Sequence, residues 1–260
     1  RIFCEPGKDE ILTLPPTYGM YKVAADINNI SVNEVQLDEN FDIDVKKTLA
    51  AITPKTKMLF ICSPNNPSGN LMSKPRIREL LNNFDGIVIV DEAYIDFSND
   101  PGMLPEIANY QNLVVLRTFS KAWGMANIRL GMAFANLEII QYMSNVKPPY
   151  NVNGVTQQIA LKSLQNINKK DQMIQEIITG RDYLRQELLQ FEAVEKIYPS
   201  DSNFLLVKFQ NSDKVFDYLM NEKIIVRNRS NQPGCDNCLR ITVGTKNENE
   251  ALIDKLKEIL

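Results

Sequence analysis

The sequence predicts an α/β fold: a mostly parallel sheet flanked by helices, followed by a smaller C-terminal α+β domain. Three observations carry this. Short β-branched runs bounded by turns alternate with helix-period segments through the first part of the chain. Runs such as Ile87-Val-Ile-Val90 are apolar throughout, which suits strands buried on both faces. After Tyr150 the texture changes to longer helices with fewer strands. We therefore expect a large domain over residues 1–155 and linking helices with a small domain over 156–260.

The opening Arg1-Ile-Phe3 reads as the end of a helix that stops near Pro6-Gly7, so the chain looks like a piece of a longer protein. Strands are expected at Glu10–Leu14, Lys57–Cys62, Gly86–Val90, Leu113–Thr118 and Leu130–Ala133. Helices are expected at Lys74–Phe84 and, more weakly, before Leu113. Val155–Leu164 reads as a helix. A longer one spans about Gln172–Phe191, where Ile174, Ile177, Leu184, Leu188 and Phe191 repeat at helical spacing and Arg181 fills a gap in the series. Then come a strand at Phe204–Phe209, a helix at Asp213–Asn221, short strands at Ile224–Val226 and Leu239–Val243, and a last helix at Asn247–Ile259. Thr245 and Glu248 have the spacing of a capping box for that helix.

Composition narrows the function. With 29 Lys+Arg against 32 Asp+Glu, the net charge of −3 disfavours nucleic acid or an anionic membrane surface as the main partner. No apolar run approaches the ~20 residues of a membrane span. There is no histidine, so acid–base chemistry here falls to Lys, Tyr, Asp, Glu or a cofactor, and histidine metal sites are excluded. Cys235 and Cys238 have the spacing of half a zinc site or a redox pair. No second such pair exists, so no metal site is assigned, and with Cys4 and Cys62 they read as reduced thiols of a cytoplasmic protein.

In open α/β sheets, ligands gather beyond the carboxyl ends of the strands. Three strands end in polar groups: one in Ser63-Pro-Asn-Asn66-Pro-Ser-Gly69, one in Asp91-Glu-Ala-Tyr94, one in Phe119-Ser120-Lys121. Singly, Asn66 reads as a turn residue, Asp91 as a strand end or cap, Tyr94 as core and Lys121 as a solubilising charge. Together, on parallel neighbours, they would bring an amide, a carboxylate, a phenol, a hydroxyl and an amine to one crevice. An amine set between a carboxylate and hydroxyl groups suits Schiff-base chemistry with an aldehyde cofactor such as pyridoxal 5'-phosphate.

These blocks, with Thr118-Phe-Ser-Lys121-Ala-Trp-Gly and Arg129-Leu-Gly131, resemble the signatures of the fold-type I pyridoxal-phosphate aminotransferases. Pro16-Thr-Tyr18-Gly-Met-Tyr21, Lys147-Pro-Pro-Tyr-Asn151 and Cys238-Leu-Arg240-Ile-Thr-Val-Gly-Thr245 are similar to the branch acting on histidinol phosphate. The resemblance covers essentially the whole chain. It implies that Lys121 holds the cofactor and then serves as general acid and base. It also implies that Asp91 pairs with the ring nitrogen, Asn66 and Tyr94 donate to the phenolic oxygen, and Tyr18 stacks on the ring. Thr118, Ser120 and Arg129 would hold the cofactor phosphate, and Arg227 and Arg240 the substrate's anionic group, while Arg229 reads as a surface charge. The implied substrates are a small-molecule amine and a 2-oxo acid, and the implied assembly is a homodimer. The family's glycine-containing phosphate turn and the tyrosine that crosses the dimer are expected ahead of Arg1. Two readings stay open beside this one: a related enzyme acting on aromatic or phosphorylated amino acids, and a catalytically silent structural fragment.

Overall fold

The computed structural model describes all 260 residues. In chain order the first elements are β1 (Glu10–Thr13), α1 (Met20–Ile27), β2 (Ser31–Glu34), α2 (Val45–Ala50), β3 (Thr56–Cys62), α3 (Lys74–Asn83) and β4 (Ile87–Asp91). They are followed by β5 (Leu113–Thr118), β6 (Gly131–Phe134), α4 (Leu137–Val146), α5 (Gly154–Leu164) and α6 (Ile167–Leu188). The last are β7 (Val194–Ile197), β8 (Phe204–Phe209), α7 (Ser212–Asn221), β9 (Arg227–Asn228), β10 (Cys238–Thr242) and α8 (Lys246–Ile259). No helix is long and apolar enough to cross a membrane.

The large sheet runs in the order β2-β1-β3-β4-β5-β6, with only β6 antiparallel to its neighbour. Alternation along the central strands fills both faces, as the continuous apolar runs require. Val88, Val90, Leu113 and Val115 pack with Ile77 and Leu80 of α3, while Ile89 and Val114 pack with Ile139 of α4. Glu92, next to Asp91, is buried for a structural reason: its carboxylate takes two bonds from Arg117, at 3.0 and 2.8 Å, and another from the Met103 N–H.

The second sheet is antiparallel, in the order β7-β8-β10-β9. Its outer face, with Leu205, Val207, Leu239 and Ile241, packs on Leu184 and Leu188 of α6 and on α7 and α8. The same alternation turns Phe204, Leu206, Cys238 and Arg240 the other way, toward the loops of the large sheet. Arg181, the polar break in the apolar series of α6, bonds across that junction to the carbonyls of Phe97 (3.4 Å) and Ser202 (2.8 Å). A second clasp is the loop after β3. Gly69, at φ +88°, gives its carbonyl to the Asp201 N–H at 2.7 Å, and a Cβ there would stand 2.6 Å from Ser200 Oγ. Only glycine fits so close a crossing.

Several expectations are corrected. Residues Arg1–Phe3 are not helical, although the turn at Gly7 is present. The weak helix before Leu113 is a 3-10 turn over Leu104–Asn109, its first turn held by Pro105. The strand placed at Ile224–Val226 instead pairs at Arg227–Asn228. The capping box of α8 forms as expected.

Candidate active site

β1, β3, β4 and β5 are adjacent and parallel, so the segments after their carboxyl ends share one edge of the sheet. β3 and β4 end together, with Cys62 beside Asp91 in the register. The loop after β1 carries Tyr18, that after β3 carries Asn66, β4 ends at Asp91 with Tyr94 beyond it, and the turn after β5 carries Ser120 and Lys121.

Asp91 is held at both oxygens. Oδ2 accepts from the Tyr21 hydroxyl at 2.7 Å, and Oδ1 from the Ala93 N–H at 3.1 Å. Burial nonetheless raises its pKa, outweighing these two bonds and the attraction of Lys121. Tyr21 is itself buried, its ring stacked on Phe60 at 4.8 Å.

The Lys121 amine lies 5.0 Å from the centre of the Tyr94 ring and is in no ion pair, although it senses the charge of Asp91. Burial first, then the nearby Arg240 charge, pulls its pKa below the ordinary 10.5, with Asp91 pulling the other way. Tyr94 is buried edge-on to Phe204, and burial raises its hydroxyl pKa.

Asn66 is buried, and its Oδ1 accepts from Arg240 Nη1 at 2.7 Å. Arg240 is half-buried with its guanidinium 4.8 Å from the centre of the Phe204 ring. A strand of the small sheet thus reaches the loop of the large one. Thr118 shapes the turn before Lys121, accepting from the Ser120 N–H at 3.0 Å and donating to the Leu130 carbonyl at 3.3 Å. Arg129, exposed and at φ +54°, bonds the Ala126 carbonyl and lies close enough to act on the Lys121 charge. Tyr18 is 43% exposed, edge-on to Tyr21 and free to meet a ligand. Arg227 is exposed opposite Arg240 in the β9–β10 ladder.

Two residues escaped the sequence reading. Tyr21, which anchors Asp91, lay inside the family-like block Pro16-Thr-Tyr18-Gly-Met-Tyr21, but nothing in the sequence assigned it a role. Arg229, read as a surface charge, is half-buried near Tyr94, with its Nε fully buried.

A titration tests these electrostatics. Acylation of Lys121 by a limiting amine reagent, followed by peptide mass spectrometry, is expected to rise with pH and level off below the 10.5 of an ordinary lysine. Arg240→Met removes a repelling cation and should move the inflection up. Asp91→Asn removes an attracting anion and should move it down. An inflection that ignores both changes would separate Lys121 from the cluster.

The family described as "Aminotransferase class I and II" matches residues 1–256. A histidinol-phosphate aminotransferase of Cytophaga hutchinsonii is 52% identical over 257 residues, covering 99% of this chain and 74% of the relative. The crystal structure of the histidinol-phosphate aminotransferase from Clostridium acetobutylicum superimposes with a TM-score of 0.90 at 28% identity, covering 96% of this chain and 78% of that one. That of the Sinorhizobium meliloti enzyme in complex with pyridoxal-5'-phosphate gives a TM-score of 0.86 over 98% of this chain and 71% of that one; at 18% identity it speaks for the fold alone.

Proposed function

The chain belongs to the class I and II aminotransferases, and on that premise we propose that its cluster of strand-end residues transfers an amino group from histidinol phosphate to 2-oxoglutarate. The products are imidazole-acetol phosphate and glutamate, which makes it an enzyme of histidine biosynthesis. One observation carries the reading: an unpaired amine, a half-buried carboxylate, an amide and a phenol gather at the ends of neighbouring parallel strands.

This donor set fits pyridoxal 5'-phosphate. Asp91 is a half-buried carboxylate with no cation in contact, which suits it to pair with a protonated ring nitrogen. The Arg240 bond fixes the Asn66 amide so that its N–H2 group faces away from the arginine, ready to donate to the phenolic oxygen together with Tyr94. Tyr18 would cover the ring, while Ser120 and Arg129 take its phosphate on the turn that Thr118 shapes. When bound, the cofactor supplies an aldehyde for amine capture and a ring that accepts electrons from the adjacent carbon.

The chain's own residues do the rest. Lys121, deprotonated at a lower pH than a free lysine, would be the residue that holds the cofactor. Its Nζ would also take the proton from the substrate carbon that bears nitrogen and deliver one on the return. Asp91 would pair with the ring nitrogen and favour its protonated form by its negative charge. Arg227 and Arg240 hold the substrate's anionic group, since a guanidinium fork suits phosphate or carboxylate.

Leu137, Val146, Tyr150, Val155, Leu161 and Leu164, exposed on and between α4 and α5, support pairing with a second copy in a homodimer. The four free thiols suit a cytoplasmic setting.

The substrate assignment is tested by half-reactions. The cofactor-loaded enzyme, mixed with one amine at a time, should lose its visible absorbance with histidinol phosphate faster than with phenylalanine, tyrosine or threonine phosphate. A faster change with any of these would give the site to the related enzymes that use them.

A further inference from the structure

Three arginines of this fold are matched to carboxylates: Arg76 holds Asp38, Arg78 holds Glu106 and Arg117 holds Glu92. At β9–β10 three others gather with no carboxylate among them. Arg227 and Arg240 stand directly opposite each other in an antiparallel pair, an arrangement that like charges destabilise. Two residues along, Arg229 lies on the same side of the strand by alternation, and its N–H bonds the Cys238 carbonyl, continuing the ladder. None of the three guanidiniums meets a carboxylate within ion-pair distance.

Two of them are also short of partners in a way the fold does not require. Arg229 Nε and Arg240 Nε are both fully buried and unbonded. Leaving a buried charged donor unsatisfied is costly, so an arrangement with two of them suits a ligand that completes them. The mutual repulsion of these groups, added to burial, holds Arg229 and Arg240 below the ordinary arginine range. By the register, Arg227 and Arg229 share the face of the sheet on which Arg240 meets Asn66 and Phe204, the crevice side.

Resting on the function proposed above, we infer that Arg229 is the third guanidinium of the substrate's anion site and sets its preference for a phosphate monoester over a carboxylate. A phosphate monoester carries about −1.5 to −2 charge near neutrality and three acceptor oxygens, whereas a carboxylate carries a single charge and two. Two arginines satisfy a carboxylate. A third has a use only when the bound group brings the additional charge and oxygen. Arg229 acts on substrate choice, not on the bonds that form and break.

The test compares Arg229→Gln and Arg229→Lys in the cofactor-loaded enzyme. Arg229→Gln should raise KM for histidinol phosphate about 10-fold or more, as expected for one lost charge-assisted hydrogen bond, with kcat changed much less. KM for glutamate and 2-oxoglutarate should change by less than about 3-fold, which also shows that the variant is folded. Arg229→Lys, keeping the charge without the fork, should recover part of the loss. A readout free of turnover is calorimetric binding of histidinol phosphate to Lys121→Ala with and without Arg229→Gln, where the same weakening is expected. Equal losses for phosphate and carboxylate substrates, or an unchanged KM for histidinol phosphate, would overturn the assignment of Arg229 and leave the functional reading standing. Failure of the unaltered enzyme to turn over histidinol phosphate would remove both.

Discussion

Lys121→Ala is expected to lower turnover by at least about 10⁴-fold, since it deletes both the attachment point and the group that moves the proton. The same substitution should abolish the pyridoxyl adduct trapped by borohydride when the cofactor-loaded protein is reduced and its peptides are mapped. In the unaltered protein that adduct is expected on the peptide containing Phe119-Ser-Lys121-Ala. Arg at this position should be equally inactive, because a guanidinium stays protonated and cannot attack a carbonyl. A small added amine should restore a fraction of the proton-transfer step. Activity within about 10-fold of the starting enzyme, or an adduct on any other lysine, would move the chemistry elsewhere.

Asp91→Asn should be the next most damaging change, at about 10²–10³-fold in kcat/KM, the usual scale for removing one preorganised electrostatic partner of the reacting group. The side chain stays isosteric and can still meet Tyr21 and the Ala93 N–H, so folding is expected to survive. What disappears is the negative charge. A neutral amide cannot keep the ring nitrogen protonated, so the loss should fall on proton abstraction, seen as a larger isotope effect with substrate deuterated at the reacting carbon. Asp91→Glu should recover some of the rate. A loss below about 5-fold for Asp91→Asn would show that this charge is not opposite the ring.

Much of this was legible in the sequence because burial on both faces writes itself as apolar runs. β4 and β5 were found for that reason, and with them the rule that ligands collect at strand ends led to Asn66, Asp91 and Lys121. β2, Ser31–Glu34, was missed because it is a four-residue edge strand with no fully buried residue, so its sequence alternates too little to stand out. β7 escaped for a similar reason. Arg229 was misjudged because β9 is only two residues long. Its i, i+2 relation to Arg227 means something only once that strand is known to pair with β10, and pairing between distant segments is what a single sequence states least directly. Tyr21 shows the complementary limit. A helix-borne tyrosine reads as core, and it is core; its hydroxyl acquires a role from β4, which is 70 residues away along the chain.

The bond from Arg240 to Asn66 has a bearing on how such an enzyme can change over evolutionary time. One guanidinium both orients an amide beside the cofactor ring and waits for the substrate, so altering it to admit a new metabolite also disturbs the machinery common to all of them. Arg227 and Arg229 make no such double commitment. Drift toward other amines should therefore begin on the short outer strand, leaving its inner neighbour fixed.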